Sequence, residues 1–101
     1  MAQIRPLTLR VTRRAVSHIA SFESFIATDN PGAARAVGRR IRAAFEMLCH
    51  FPEMGRPGRI PGTREWLVRR TPYVVVYAIG DSTIDILGVF HCAQETETCE
   101  A

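Results

Sequence analysis

Arginines recur at positions 56, 59, 64, 69 and 70, within a stretch of the chain that is otherwise rich in glycine, proline and β-branched residues. A guanidinium is planar, always charged and able to donate two parallel hydrogen bonds, which suits it to phosphate and carboxylate oxygens alike. Glu65 and His91 are the nearby side chains that could move a proton. Arginines stabilising charge on a transferring phosphate, beside a histidine or carboxylate handling protons, would make a small RNA-cleaving site. In that arrangement Arg64, or Arg69 with Arg70, would hold phosphate and His91 would transfer the proton. Glu65 and His91 could cooperate only if their strands are neighbours in matching register. The structural alternative is that Glu65 pairs with a loop arginine and His91 simply ends a strand. Trp66 is either a stacking platform beside the arginines or a core anchor, and Tyr73 and Tyr77 carry the same two readings. Their place in apolar strands favours the core.

Other chemistries lack their signatures. His18, His50 and His91 have no ligand spacing between them, so no metal site is indicated. The sequence contains no nucleophile elbow, phosphate loop or dinucleotide fingerprint, and no cofactor is implied. Cys49, Cys92 and Cys99 are odd in number and far apart, with no Cys-x-x-Cys pair to suggest zinc or a redox couple.

The elements that must position the arginines follow from periodicity. Leu7, Leu9 and Val11 alternate with Thr8 and Arg10, as in a strand. Thr12 can cap a helix whose apolar face is Ala15, Ile19, Phe22 and Ile26, and which should stop near Thr28-Asp29. Asn30 is a favoured N-cap, and Pro31 fits the first position of a second helix. Ala34, Val37, Ile41, Ala44 or Phe45, and Leu48 make its stripe, opposite Arg35, Arg39, Arg42 and Glu46. A connection of about three residues makes the pair an antiparallel hairpin. After the loop 54–63, Glu65–Arg70 reads as a strand. Tyr73–Ile79 is a continuous apolar run suited to a central strand covered on both faces. Thr83–His91 follows the turn at Gly80-Asp81-Ser82, with Ile84, Ile86, Gly88 and Phe90 expected on one face. The fold class is α+β: an N-terminal strand at one edge, a two-helix hairpin, then a three-stranded antiparallel meander.

A chain of 101 residues is one domain, and its 47% hydrophobic content is that of a folded protein. The domain is expected to span 1–93, followed by an acidic, flexible tail over 94–101. That tail carries Glu95, Glu97 and Glu100 and no base; without those carboxylates the net charge of +3 would be +6. All the basic side chains other than histidine are arginine, so the body suits an anionic partner, either nucleic acid or an acidic protein segment. No apolar run approaches the roughly 20 residues of a membrane span, and the N-terminus lacks a secretion signal's apolar core. The expectation is a cytoplasmic protein with no membrane partner.

The ordered motifs resemble the RelE/ParE family of toxins from bacterial type II toxin–antitoxin modules, across about residues 8–93. They are Thr12-Arg13-Arg14-Ala15, Asn30-Pro31 with its alanines, Leu48 to Pro52, Met54-Gly55-Arg56, and Pro61-Gly62-Thr63-Arg64-Glu65. Pro72-Tyr73 with Tyr77, then Ile86-Leu87 with Val89 and His91, complete the series. The resemblance implies two helices packed on one sheet and a growth-inhibitory protein. It also implies a co-expressed antitoxin that wraps the toxin and, with it, represses its own operon, so that operator DNA is met only through that complex. RelE-like members cut mRNA on the ribosome; ParE-like members inhibit DNA gyrase. Nuclease members often carry an arginine three residues before the central tyrosine, where this chain has Val74. They also commonly have a tyrosine or basic residues near the end of the sheet, where this chain has Cys92-Ala93-Gln94-Glu95. These departures favour the gyrase-directed reading over ribosome-dependent cleavage, with an attenuated toxin acting only as an antitoxin-binding co-repressor as a third reading. Arg56, Arg59, Arg64 and Trp66 are the expected binding residues. For a nuclease, the catalytic set would be Arg64, Arg69, Arg70 and His91.

Overall fold

The computed structural model describes residues 5–92; the segment expected to be an acidic tail lies outside the described residues. The order is β1 (Thr8–Val11), α1 (Arg13–Asp29), α2 (Pro31–His50), β2 (Arg56–Pro57), β3 (Arg64–Leu67), β4 (Tyr73–Ile79) and β5 (Thr83–His91). Both helix starts form as their caps require. The Thr12 hydroxyl accepts the Ala15 N–H at 3.2 Å and donates to the Ile86 carbonyl at 2.8 Å, so the same side chain caps α1 and ties it to β5. Asn30 ends one helix and opens the other. Its N–H donates to the Ile26 carbonyl at 2.9 Å, and its side-chain oxygen accepts the Ala33 N–H at 3.0 Å. The hairpin therefore turns on this single residue, a tighter join than the three residues expected. Arg42 reaches back to Glu23 across the pair at 3.4 Å.

The strands form one sheet in the order β1-β5-β4-β3-β2. β3, β4 and β5 make the expected antiparallel meander, and β1 sits at an edge. The sheet is nevertheless mixed, because β1 runs parallel to β5, with Leu9 opposite Ile84. A parallel neighbour needs a long crossover, and the helical hairpin is part of that connection. β2, unanticipated because Pro57 cannot donate to a ladder, pairs Arg56 with Glu65 at the other edge, where proline is tolerated.

Two expectations about the strands are corrected. β3 ends at Leu67 rather than Arg70. The Val68 carbonyl accepts both the Thr71 N–H at 3.2 Å and the Thr71 hydroxyl at 2.9 Å, closing a turn in which Arg70 has φ of 62°. On β5, the ladder skips Leu87: Val76 faces Gly88 while Tyr77 faces Ile86. This bulge reverses the side-chain alternation, so Val89 joins Ile84 and Ile86 in the core and Gly88 does not.

The core lies between the hairpin and one face of the sheet. Ile41 and Leu48 of α2 meet Val75, Tyr77, Ile84, Ile86 and Val89, all with no solvent exposure. Burying each of these aliphatic side chains contributes about 1.5–3 kcal/mol. Val74 is also buried but lies outside this cluster, on the opposite face of β4, where Val76 and Ala78 are only half-buried, so the strand expected to be covered on both faces is fully covered on one.

Candidate functional site

The loop between α2 and β3 is held by an interlocking set of hydrogen bonds. The Tyr77 hydroxyl donates to the Pro52 carbonyl at 2.7 Å and accepts the Gly55 N–H at 3.0 Å. Burial pushes the Tyr77 phenol up, against the opposing pull of the Gly55 hydrogen bond and the Arg64 charge. A side chain at Gly55 would place its first carbon 2.6 Å from the Tyr77 hydroxyl oxygen, so only glycine allows this approach. Arg64 lies opposite Tyr77 and donates to the Gly55 carbonyl at 2.6 Å and the Glu53 carbonyl at 3.2 Å. The geometry therefore makes Arg64 a backbone tether; its guanidinium is directed at carbonyls of its own loop.

Glu65, one residue on, points to the other face. It is 4% exposed. One carboxylate oxygen accepts from the Arg56 guanidinium at 2.6 Å and the other from the Arg59 N–H at 3.3 Å. The carboxylate thus anchors the β2 edge and the start of the following turn. These groups, with Met54, Leu67, Val74 and Cys92, border a groove of about 480 Å³. Trp66 packs against the core; its indole N–H is buried with no acceptor among the described residues.

The remaining candidates gather at the opposite end of β4. Arg69 and Arg70 occupy the exposed β3–β4 turn, which borders a cavity of about 630 Å³ together with Trp66 and Pro72. Tyr73 starts β4 opposite His91, and their rings meet edge-on at 5.7 Å. Phe22 of α1 packs on Tyr73 at 4.6 Å. Burial also raises the Tyr73 phenol, so it stays protonated at neutral pH. The structure therefore brings Arg69, Arg70 and His91 to one end of the sheet and leaves Arg64 nearer the other. Glu65 and His91 are not on neighbouring strands: Glu65 faces Val76, and Val76 faces Gly88, three residues short of His91. The proton-handling pair considered from sequence is not assembled.

His18 escaped the sequence reading, which found only the absence of metal spacing. Its Nδ1 accepts the Val89 N–H at 3.2 Å, and its ring packs on Phe90 at 4.9 Å. Burial, then the Arg14 charge, lowers its pKa, consistent with a neutral acceptor. The available signal was its place one residue before Ile19 on the apolar side of α1. Among the described residues no group of histidine, cysteine and carboxylate side chains could hold a metal, and no helix is long and apolar enough to cross a membrane.

A helical hairpin packed on a mixed five-stranded sheet matches the fold of solved toxin chains from toxin–antitoxin complexes. The toxin–antitoxin complex RelBE2 from Mycobacterium tuberculosis contains a chain that is 28% identical, with a TM-score of 0.62, over 90% of this chain and 97% of that one. The chromosomal ParDE system of P. aeruginosa supplies a fold match at TM-score 0.76 and 22% identity, over 84% and 95% of the two chains. The chain belongs to the family of ParE toxins of type II toxin–antitoxin systems, whose sequence model it matches over residues 9–96. Among its relatives is the Sinorhizobium fredii protein Y4kP, a toxin by assignment, 38% identical over 86% of this chain and 90% of that protein. Toxin RelE2 of Caulobacter vibrioides is 30% identical over 82% of this chain and 92% of its own length.

Proposed function

We propose that this chain is a cytoplasmic growth-inhibitory toxin that acts by binding DNA gyrase and is neutralised by a cognate antitoxin. The observation that carries the gyrase reading is the assignment of its strand arginine. Arg64 is committed to the Gly55 and Glu53 carbonyls, and the central-strand position where nuclease relatives often carry another arginine is the buried Val74. Phosphate stabilisation and proton transfer are thus not gathered at the centre of the sheet. Operator DNA is met through the complex with the antitoxin. Inducing the chain without its antitoxin should arrest growth, with loss of DNA supercoiling and intact mRNA. Rapid ribosome-dependent mRNA cleavage with normal supercoiling would overturn this reading.

One observation favours a second reading, ribosome-dependent mRNA cleavage. Arg69, Arg70, Tyr73 and His91 do converge on one end of the sheet. If that group is catalytic, His91→Ala should reduce cleavage by purified protein on ribosomes roughly 10²-fold or more. Failure of the chain to arrest growth at all would instead leave it as an antitoxin-binding co-repressor.

A further inference from the structure

The Arg69–Arg70 turn is unusual in both charge and backbone. Arg42 pairs with Glu23, Arg10 with Asp85 and Arg56 with Glu65, but Arg69 and Arg70 make no ion pair or hydrogen bond with any described residue through their side chains. Both are exposed. Arg70 also holds a φ of 62°, a left-handed conformation that glycine would adopt with less strain. Two exposed guanidiniums are therefore displayed side by side from a turn whose backbone does not favour arginine.

A partly apolar slot opens at the same end of the sheet. Phe25 is 78% exposed on α1, and with Phe22, Tyr73 and His91 it borders a cavity of about 370 Å³. The two features meet at the start of β4. Pro72 borders the arginine cavity and Tyr73 the slot, while the Val68 N–H donates to the Tyr73 carbonyl at 2.9 Å. We propose that this end of the sheet docks an acidic, amphipathic protein segment, with carboxylates on Arg69 and Arg70 and an apolar side chain in the slot against Phe25. The inference rests on the reading that a partner protein neutralises the toxin, and it places that partner's contact away from the Arg56–Arg59 loop.

Charge complementarity selects an anionic occupant, and the rings select protein over nucleic acid. Single-stranded nucleic acid needs open aromatic faces on which bases can stack. Here Phe22 covers Tyr73 and Tyr73 meets His91, which leaves Phe25 as the slot's one exposed ring, a single platform rather than the series that successive bases need. What the rings offer together is a concave, partly apolar recess, which suits the anchor of an amphipathic segment.

The test uses the whole chain and three fluorescent probes: a short Leu/Glu amphipathic peptide, its Leu/Gln counterpart and a single-stranded RNA. The Leu/Glu peptide should bind with an affinity that falls with salt, and the other two should bind more weakly. Reversing Arg69 and Arg70 to Glu together should lower that affinity roughly tenfold and weaken its salt dependence. Phe25→Ala should weaken binding without changing the salt dependence. Arg70→Gly should weaken binding while raising the thermal midpoint by a few degrees, a pairing that a structural role for Arg70 would not produce. Equal binding of the two peptides, an affinity unmoved by charge reversal, tighter binding of RNA lost on reversal, or self-association through this face would each overturn the proposal. Growth arrest by the unmodified chain is scored separately. Arrest without peptide binding rejects this docking site and keeps the toxin reading, whereas peptide binding without arrest does the opposite.

Discussion

Replacing Tyr77 with Phe tests whether one hydroxyl holds the loop between α2 and β3. The side chain is completely buried. Its oxygen donates to Pro52 at 2.7 Å and accepts from Gly55 at 3.0 Å. Phenylalanine keeps the ring and its packing but leaves a buried N–H and a buried carbonyl without this partner. An abandoned buried polar group costs about 1–3 kcal/mol, and two that relax partly toward water cost about 2–4 kcal/mol together. Each kcal/mol shifts the midpoint of a domain this size by about 4–8 °C, so the melting temperature should fall by roughly 10–25 °C. Urea denaturation should show the same loss as a lower midpoint at unchanged slope. Gly55→Ala displaces the same hydroxyl, so the double variant should lose less than the sum of the two single changes. A loss below about 0.5 kcal/mol for Tyr77→Phe would refute the reasoning, because it would mean that water replaces the hydroxyl at no cost.

Two further outcomes follow from the same structure. His18 has a folded-state pKa below its ordinary value of 6.5, so its contribution to stability is fully present above pH 6.5 and is lost as the pH falls through the folded value. His18→Gln, which can accept the Val89 N–H without titrating, should flatten the difference in urea midpoint between pH 7.5 and pH 5 relative to the unmodified chain. Glu65→Gln weakens the acceptor for Arg56 and for the Arg59 N–H; with the Arg56 side chain 61% exposed, the cost should be about 1–2 kcal/mol, read by thermal denaturation.

Much of the fold was legible because its signals are local. Thr12, Asn30 and Pro31 act within one helical turn, and the stripe from Ala34 to Leu48 needs only the helical repeat to define its face. The parallel pairing of β1 with β5 depends on residues more than seventy positions apart, which no local pattern encodes. The end of β3 was hidden because Val68, Arg69, Arg70 and Thr71 contain no glycine to announce a turn that puts Arg70 at positive φ. The site was legible in composition but not in role. Arg64 and Glu65 are consecutive, so the pleat sends one toward the Tyr77 side and the other toward Arg56, a division that spacing alone does not reveal. Charge alone groups Arg56 with Arg64 as binding residues. Their hydrogen bonds distinguish them: one pairs with a buried carboxylate, the other with backbone carbonyls.

The same logic explains why α1 lies where it does. β1 pairs with β5 from Thr83 to Ile86, so among the described residues the outer edge of β5 has no strand neighbour from Leu87 onward. An uncovered edge presents unpaired backbone groups that invite addition of another strand. Here α1 closes it. Thr12 donates its hydroxyl to the Ile86 carbonyl, and its N–H reaches the same oxygen at 3.1 Å; two turns on, His18 accepts the Val89 N–H. The helix is thereby fastened at two points along β5, and its next turns carry Phe22 and Phe25 to the end of the sheet where Tyr73 and His91 meet. The aromatic slot is thus a geometric consequence of closing the edge: loosening the His18 contact should shift Phe22 and Phe25 relative to β4. The position of α1 therefore links protection of the sheet to the surface proposed for docking.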